Sequence, residues 1–490
     1  MFSTRLKKLE AAMDAAASYE EWKQAAMEHD KASGIDQWQA VDKSKHFDFV
    51  SIRARLDHLR LIRKKGDNSA LLFTLNEGIH GNLGGMGSSA LYGKTKFGTK
   101  DLIREYVEEI TGSLIHLASP EVDDITFEDK LDFFRRASHC FGRSALMMSG
   151  SGTLLFFHLG VVKALWEQRL LPDIISGSSG GAFVGAVMCA ASDEELSNFF
   201  DPVRMPGKKL PAGVLGAITS FISPERVTAQ EVWSMLELFL PDYTFQEAAE
   251  RTGRHMNVSV APAEALQRSR LLNSDTSPNV FMREAVLAST AFPGFFPPVT
   301  LMARNDAGER QPYHGSRRWV DGSLSEDLPA KRLARLYGVN HYIVSQTNPM
   351  VIPFINDRER KPDTWSALKH AVFTSAKTWV NASATVLDKP LSVVPDIKRV
   401  TNSLLSVMNQ SYVGDITILP LTKLHNPFRA LSWRSHEEIA KLMEEGERAT
   451  WSQLERIRIQ TLISRTLDPI LRSYEEEHLE QFGEKKIAAL

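Results

Sequence analysis

Cysteine is nearly absent: the 490 residues contain two, Cys140 and Cys189. With no metal-ligand spacing, they exclude a disulfide scaffold and a thiolate metal site. Both lie in apolar stretches, so they are expected to be buried small hydrophobes. An excess of charge is lacking too. Lys plus Arg total 58 against 60 Asp plus Glu, a formal net charge of −2, which argues against the basic field of a dedicated nucleic-acid binder. No uninterrupted apolar run approaches the roughly 18 residues of a transmembrane helix. The opening "MFSTRLKKLEAAMDAAASYEEW" is basic and then amphipathic, without a signal peptide's apolar core. These absences lead to the expectation of a cytoplasmic protein.

What is present is an ordinary globular composition, 43% hydrophobic and 9% aromatic, over a length that predicts two or three packed regions. Residues 1–140 have helical periodicity. "SYEEWKQAAMEHDKASG" closes on Gly34, a C-cap, and "FVSIRARLDHLRLIRKKGD" crowds Arg and Lys into its last turn, as the helix dipole favours. The glycine-rich "GIHGNLGGMGSSALYG" lacks the Lys-Ser/Thr pair of a phosphate loop and a preceding strand, so it reads as structural.

Between 141 and 350 short β runs alternate with helices: "SALMMS", "DIISG", "HMNVSVAP", "RRWVDG" and "NHYIVSQT". That alternation predicts an α/β fold, a doubly wound, mostly parallel sheet flanked by helices. From 351 to 490, "SYVGDITILP" reads as a late strand of the same sheet, near 415–420, and the residues after Ser435 as a charged helical tail.

The chemistry concentrates in "DIISGSSGGAFVGAVMC", residues 173–189. Read as G-x-S-x-G, it puts Ser179 on a tight strand-to-helix turn, with Gly177 and Gly181 allowing the sharp bend. Ser178 occupies the intervening position and is expected to point elsewhere. An acyl-transfer nucleophile also needs N–H donors for an oxyanion, and Gly150-Ser151-Gly152, after the apolar strand "ALMMS", form a second strand–glycine–helix turn. Leu155 stands where a dinucleotide loop wants its last glycine, so a Rossmann site is not expected. The base is less obvious. His314, His341, His370, His425 and His436 follow Ser179, but none carries a catalytic signature. Asp321, by contrast, ends a β run in "WVDGS". A Ser179–Asp321 dyad therefore fits better than a triad.

These motifs carry a family resemblance. "SGSGTLLFFHLGVVKAL", "GSSGG", "VLASTAFPGFFPPV" and "WVDGSLSEDLP" occur in the order and spacing of a patatin-like phospholipase domain, over about 140–350. "YEEWKQAAMEHD", "NLGGMGSSALYG" and "GTKDLIREYVEEI" resemble the N-terminal helical extension of that family's triacylglycerol-lipase branch. "SYVGDITILP" and "EEGERATW" resemble its closing segments.

The resemblance implies a lipid acyl hydrolase without metal or organic cofactor. Ser179 would attack the ester of an acylglycerol or phospholipid, Asp321 would accept its proton, and the N–H groups of Gly150, Ser151 and Gly152 would hold the oxyanion. A lipid-droplet or membrane surface is the implied partner, with "AGVLGAITSFISPERV" (212–227) and "WSALKHAVFTSAKTWVNASATVL" (365–387) as surface elements. The family's Gly-Gly-Gly-x-Arg/Lys-Gly box reads Gly150-Ser151-Gly152-Thr153-Leu154-Leu155 here. Loss of the basic residue favours neutral acylglycerols, while Ser323 after Asp321-Gly322 changes little. The alternatives are an acyltransferase with a lysophospholipid acceptor and a non-catalytic lipid-binding regulatory protein.

Overall fold

The computed structural model describes residues 2–207, 226–264, 267–293, 295–315, 317–349, 351–352, 355, 413–421 and 431–488. The chain divides into two compact units.

The first unit comprises Met1–Ser144, Gly338–Asn340 and Trp451–Leu490. Its helices begin and end where the sequence supplies caps. Tyr19–Ser33 starts at Ser18, whose side chain accepts from the Glu21 N–H, and stops at Gly34 in the left-handed region. Phe49–Lys65 runs from Asp48 to Gly66 in the same manner. The amphipathic helices Asp101–Ala118 and Phe127–Phe141 bury Ile103, Tyr106, Ile110, Phe133 and Phe134 together with Ile459, Ile463 and Leu467 of the C-terminal helix His436–Ala488. Lys100 is buried, its ammonium donating to the carbonyls of Trp38 and Val41, both at 2.5 Å, at the end of the helix Ile35–Ala40. Cys189 is buried as expected, but Cys140 is exposed. It sits in the last turn of Phe127–Phe141, whose core-facing positions are Leu131, Phe133, Phe134, Ala137 and Phe141.

The second unit comprises Ala145–Tyr337 and His341–Thr450. Its sheet runs β4-β3-β2-β1-β8-β9, where β1 is Arg143–Met148, β2 Ile174–Gly177, β3 His255–Pro262, β4 Arg270–Leu272, β8 Val339–Ser345 and β9 Ile416–Ile418. The pairs β1–β2, β2–β3 and β8–β9 are parallel. Helices Leu155–Glu167 and Gly180–Ala190 follow β1 and β2, so the fold is the doubly wound α/β class read from the pattern.

Two details differ from that pattern. The strand Trp319–Asp321, β7, pairs antiparallel with β3, as does β4. The segments Met302–Arg304 (β5) and Arg310–Pro312 (β6) form a small separate hairpin. Three-residue strands are too short for periodicity to reveal, and pairing direction is set by connections rather than by residue type. Residues 365–387, all of 212–227 except Arg226 and Val227, and His370 and His425 lie outside the described residues.

Candidate active site

The turn after β2 is built by close backbone approach. A Cβ on Gly177 would lie 2.4 Å from the backbone of Gly181, and one on Gly181 would lie 2.6 Å from the Met148 carbonyl oxygen. Glycine is required at both. Gly180 is equally constrained: a Cβ there would lie 2.2 Å from Ser151 Oγ and 2.7 Å from the Gly152 carbonyl oxygen. The glycine loop after β1 therefore presses directly on the residue that follows Ser179. Ser179 itself has φ 51° and ψ −121° and caps the fully buried helix Gly180–Ala190. A serine held in the positive-φ region is strained, and the helix aims its positive end at it.

Asp321 reaches the same place from the opposite direction. On one edge of β3, β4 pairs with Val258 and Val260; on the other, Gly177 of β2 lies opposite Val258 and Asp321 of β7 opposite Val260. So β7 meets the end of β2 head-on. Two residues of extended chain, about 7 Å, separate the two ends, and Ser178 and Ser179 leave β2 at that gap. Gly322 allows the turn after Asp321, since a Cβ there would lie 2.4 Å from the Ser259 backbone.

The end of the helix Met282–Thr290 ties the two halves together. Ser289 Oγ accepts from the Ser179 N–H at 2.9 Å and donates to the Ser259 carbonyl at 2.8 Å. The Asp321 N–H donates to the Ala291 carbonyl at 3.1 Å. Burial pushes the Asp321 carboxyl up to about 7, against the hydrogen bonds it accepts from Ser323 and with help from the nearby charge of Asp327. Such a carboxylate is a stronger base than an exposed one.

The glycine loop is anchored from below. Gly150 does not offer its N–H to the site, because that group donates to Asp327 Oδ1 at 2.8 Å. The N–H groups of Ser151 and Gly152 have no partner among the described residues, and Gly152 has φ 54°. His158, fully buried, has Nε2 at 3.0 Å from the Ser149 carbonyl, so Nε2 carries the proton and Nδ1 accepts from Ser345 Oγ at 2.6 Å. Burial drives its pKa down to about 4, leaving a neutral imidazole with both nitrogens engaged. Of the histidines weighed as bases, His314 Nε2 accepts from the Arg270 guanidinium at 3.0 Å, His341 lies on β8, and His436 opens the C-terminal helix.

Ser289, Asp327 and His158 are site residues that motif reading passed over. Each is a polar residue inside an apolar or turn motif, "VLASTAF", "SEDLP" and "LLFFHLG", and that isolation was the available signal. No group of three or more potential metal ligands occurs among the described residues, and no helix among them is long and apolar enough to cross a membrane.

A serine at a strand-to-helix turn and a buried aspartate ending β7 lie along one edge of β3 in a largely parallel sheet, which defines an α/β protein. The family model described as patatin-like phospholipase matches residues 146–334, and a domain of unknown function (DUF3336) matches residues 2–139. Triacylglycerol lipase ptl2 of Schizosaccharomyces pombe is 31% identical, over 95% of this chain and 75% of its own length. Triacylglycerol lipase SDP1L of Arabidopsis thaliana is 34% identical, over 93% of this chain and 57% of its own. A patatin-like phospholipase domain-containing protein of Meyerozyma guilliermondii is 31% identical, over 90% of this chain and 64% of its own. The chain belongs to the patatin-like phospholipase family, in the branch that carries this N-terminal domain and includes proteins named triacylglycerol lipases. It spans less than two thirds of the length of the Meyerozyma and Arabidopsis relatives.

Proposed function

We propose that this protein hydrolyses carboxylic esters of lipids, acylglycerols first among them, through a Ser179–Asp321 dyad. The observation that carries the reading is the head-on meeting of β2 and β7, with Ser289 and Ala291 bonded to Ser179 and Asp321. Family membership supports the same chemistry.

Ser179 Oγ attacks the ester carbonyl while its proton passes to the Asp321 carboxylate. The carbonyl π pair moves onto oxygen, and the N–H groups of Ser151 and Gly152 stabilise the oxyanion. On collapse the C–O bond breaks, and the departing alkoxide takes the proton from Asp321. Water then attacks the acyl-enzyme, Asp321 again accepts and returns a proton, and the fatty acid leaves. Every step uses the chain's own groups and water.

Acylglycerols collect at lipid–water surfaces, so the reading includes peripheral association with a droplet or membrane, by a cytoplasmic enzyme. Phe295, half exposed and four residues beyond Ala291, is an apolar side chain available to an acyl chain, with the Arg226 guanidinium 5.3 Å from its ring. The test is purified protein with a short-chain ester and with emulsified triacylglycerol, diacylglycerol and phospholipid. Ser179→Ala and Asp321→Asn are expected to lose at least 10³-fold in turnover. Unchanged turnover in either variant would refute the dyad.

A further inference from the structure

Asp327 lies six residues beyond Asp321, across the short helix Ser323–Glu326, and is completely buried. Its two ends hold different halves of the site. Oδ1 accepts the Gly150 N–H at 2.8 Å, at the start of the glycine loop. Its main-chain carbonyl accepts Ser178 Oγ at 3.1 Å, immediately before Ser179. Oδ2 lies 3.5 Å from Asn348 Nδ2, on the chain leaving β8. The loop also rests directly on this segment, for a Cβ on Gly150 would lie 3.3 Å from Ser323 Cβ and 3.6 Å from Asp327 Oδ1.

We propose that Asp327 is a positioning residue that straps the glycine loop to the nucleophile elbow, so that Ser151 and Gly152, not Gly150, present N–H groups to the oxyanion. The inference rests on the hydrolase reading. Three facts favour it over a purely structural role. Burying a carboxylate is unfavourable unless its oxygens are hydrogen-bonded, and its burial pushes it up to about 6. Two of its bonds go to the first residue of the loop and to the residue before Ser179. A charge-assisted N–H···carboxylate bond is also roughly twice as strong as a neutral one, and therefore suited to fixing a glycine loop. The strap turns the Gly150 N–H inward and leaves the next two N–H groups without partners among the described residues.

The experiment compares Asp327→Ala and Asp327→Asn in the full chain, measuring kcat and KM on a soluble ester and amide hydrogen exchange of the 148–153 segment. Asp327→Ala is expected to lower kcat about 100-fold with KM within threefold, as loss of an oxyanion donor does, and to speed exchange at Gly150 at least 10-fold. Asp327→Asn, whose amide oxygen can still accept from Gly150, is expected to recover kcat to within about 10-fold of the parent and to restore protection. An alanine variant with parental kcat and a still-protected Gly150 overturns the proposal. So does a folded asparagine variant as impaired as alanine, since the strap requires only an acceptor. Should alanine prevent folding, the asparagine result decides alone. A parent protein inert on every ester defeats the hydrolase reading instead, and the exchange comparison still reports on the strap.

Discussion

Ser289→Ala tests whether Ser179, the proposed nucleophile, is held from behind. The Ser289 hydroxyl is buried and serves two main-chain groups, the Ser179 N–H at 2.9 Å and the Ser259 carbonyl at 2.8 Å. Alanine leaves both unsatisfied. Each buried unpaired group costs about 1–3 kcal/mol, and Ser179 at φ 51° needs its surroundings to hold a strained conformation. The variant is therefore expected to lose about 2–4 kcal/mol, a Tm fall on the order of 3–6 °C. Part of the lost restraint falls on Ser179, and for the proposed nucleophile a displacement near 1 Å costs on the order of 100-fold in rate. Turnover of a soluble ester should thus fall about 30–100-fold at a temperature where circular dichroism shows the variant folded. Turnover within twofold of the parent, with an unchanged Tm, would show that the bond neither strains nor aims Ser179.

Asp321 is pushed up to about 7 by burial; in the proposed dyad it would act as a base only when ionised, so kcat/KM should rise with pH through about 7 and then level off. Its folded pKa lies above the unfolded value near 4, so ionisation destabilises the fold increasingly between those values and fully above 7. Asp321→Asn should therefore be more stable than the parent at pH 8, by on the order of 4 kcal/mol, with the difference closing by pH 4 in denaturant titrations. Gly180→Ala should lower kcat more than 100-fold while leaving far-ultraviolet dichroism intact, because its Cβ would lie 2.7 Å from the Gly152 carbonyl oxygen and displace the oxyanion loop. Lys100→Met removes the donor that serves the carbonyls of Trp38 and Val41. It should destabilise the N-terminal unit by about 2–3 kcal/mol, read by chemical denaturation, with kcat of the remaining folded protein unchanged.

The two turns of the candidate site were legible because they depend on backbone geometry that only certain residues permit. Gly177, Gly180 and Gly181 have no room for a side chain, so the turn is written as a short glycine-rich string. Asp321 was legible as a carboxylate ending a β run before glycine, but its direction of approach was not. Three residues of antiparallel β7 look the same as three residues of parallel strand. Gly150 was misleading for a similar reason. A glycine loop announces available N–H groups, yet which of them faces inward depended on Asp327, 177 residues away. Ser289 and His158 act through hydrogen bonds to main chain brought near by the fold, and such partners leave no spacing in the sequence. Cys140 shows the converse, an apolar neighbourhood in sequence at a helix end that faces solvent.

The central claim is a serine activated by an aspartate without histidine, and labelling with a fluorophosphonate tests it most directly. Rates of adduct formation on the parent, Asp321→Asn and His314→Ala can be followed by intact mass, with the adduct located by peptide mapping. The account predicts a single adduct on Ser179, labelling at least 10³-fold slower in Asp321→Asn, and an unchanged rate in His314→Ala. An adduct on another residue, parental labelling in Asp321→Asn, or loss of labelling in His314→Ala would contradict it.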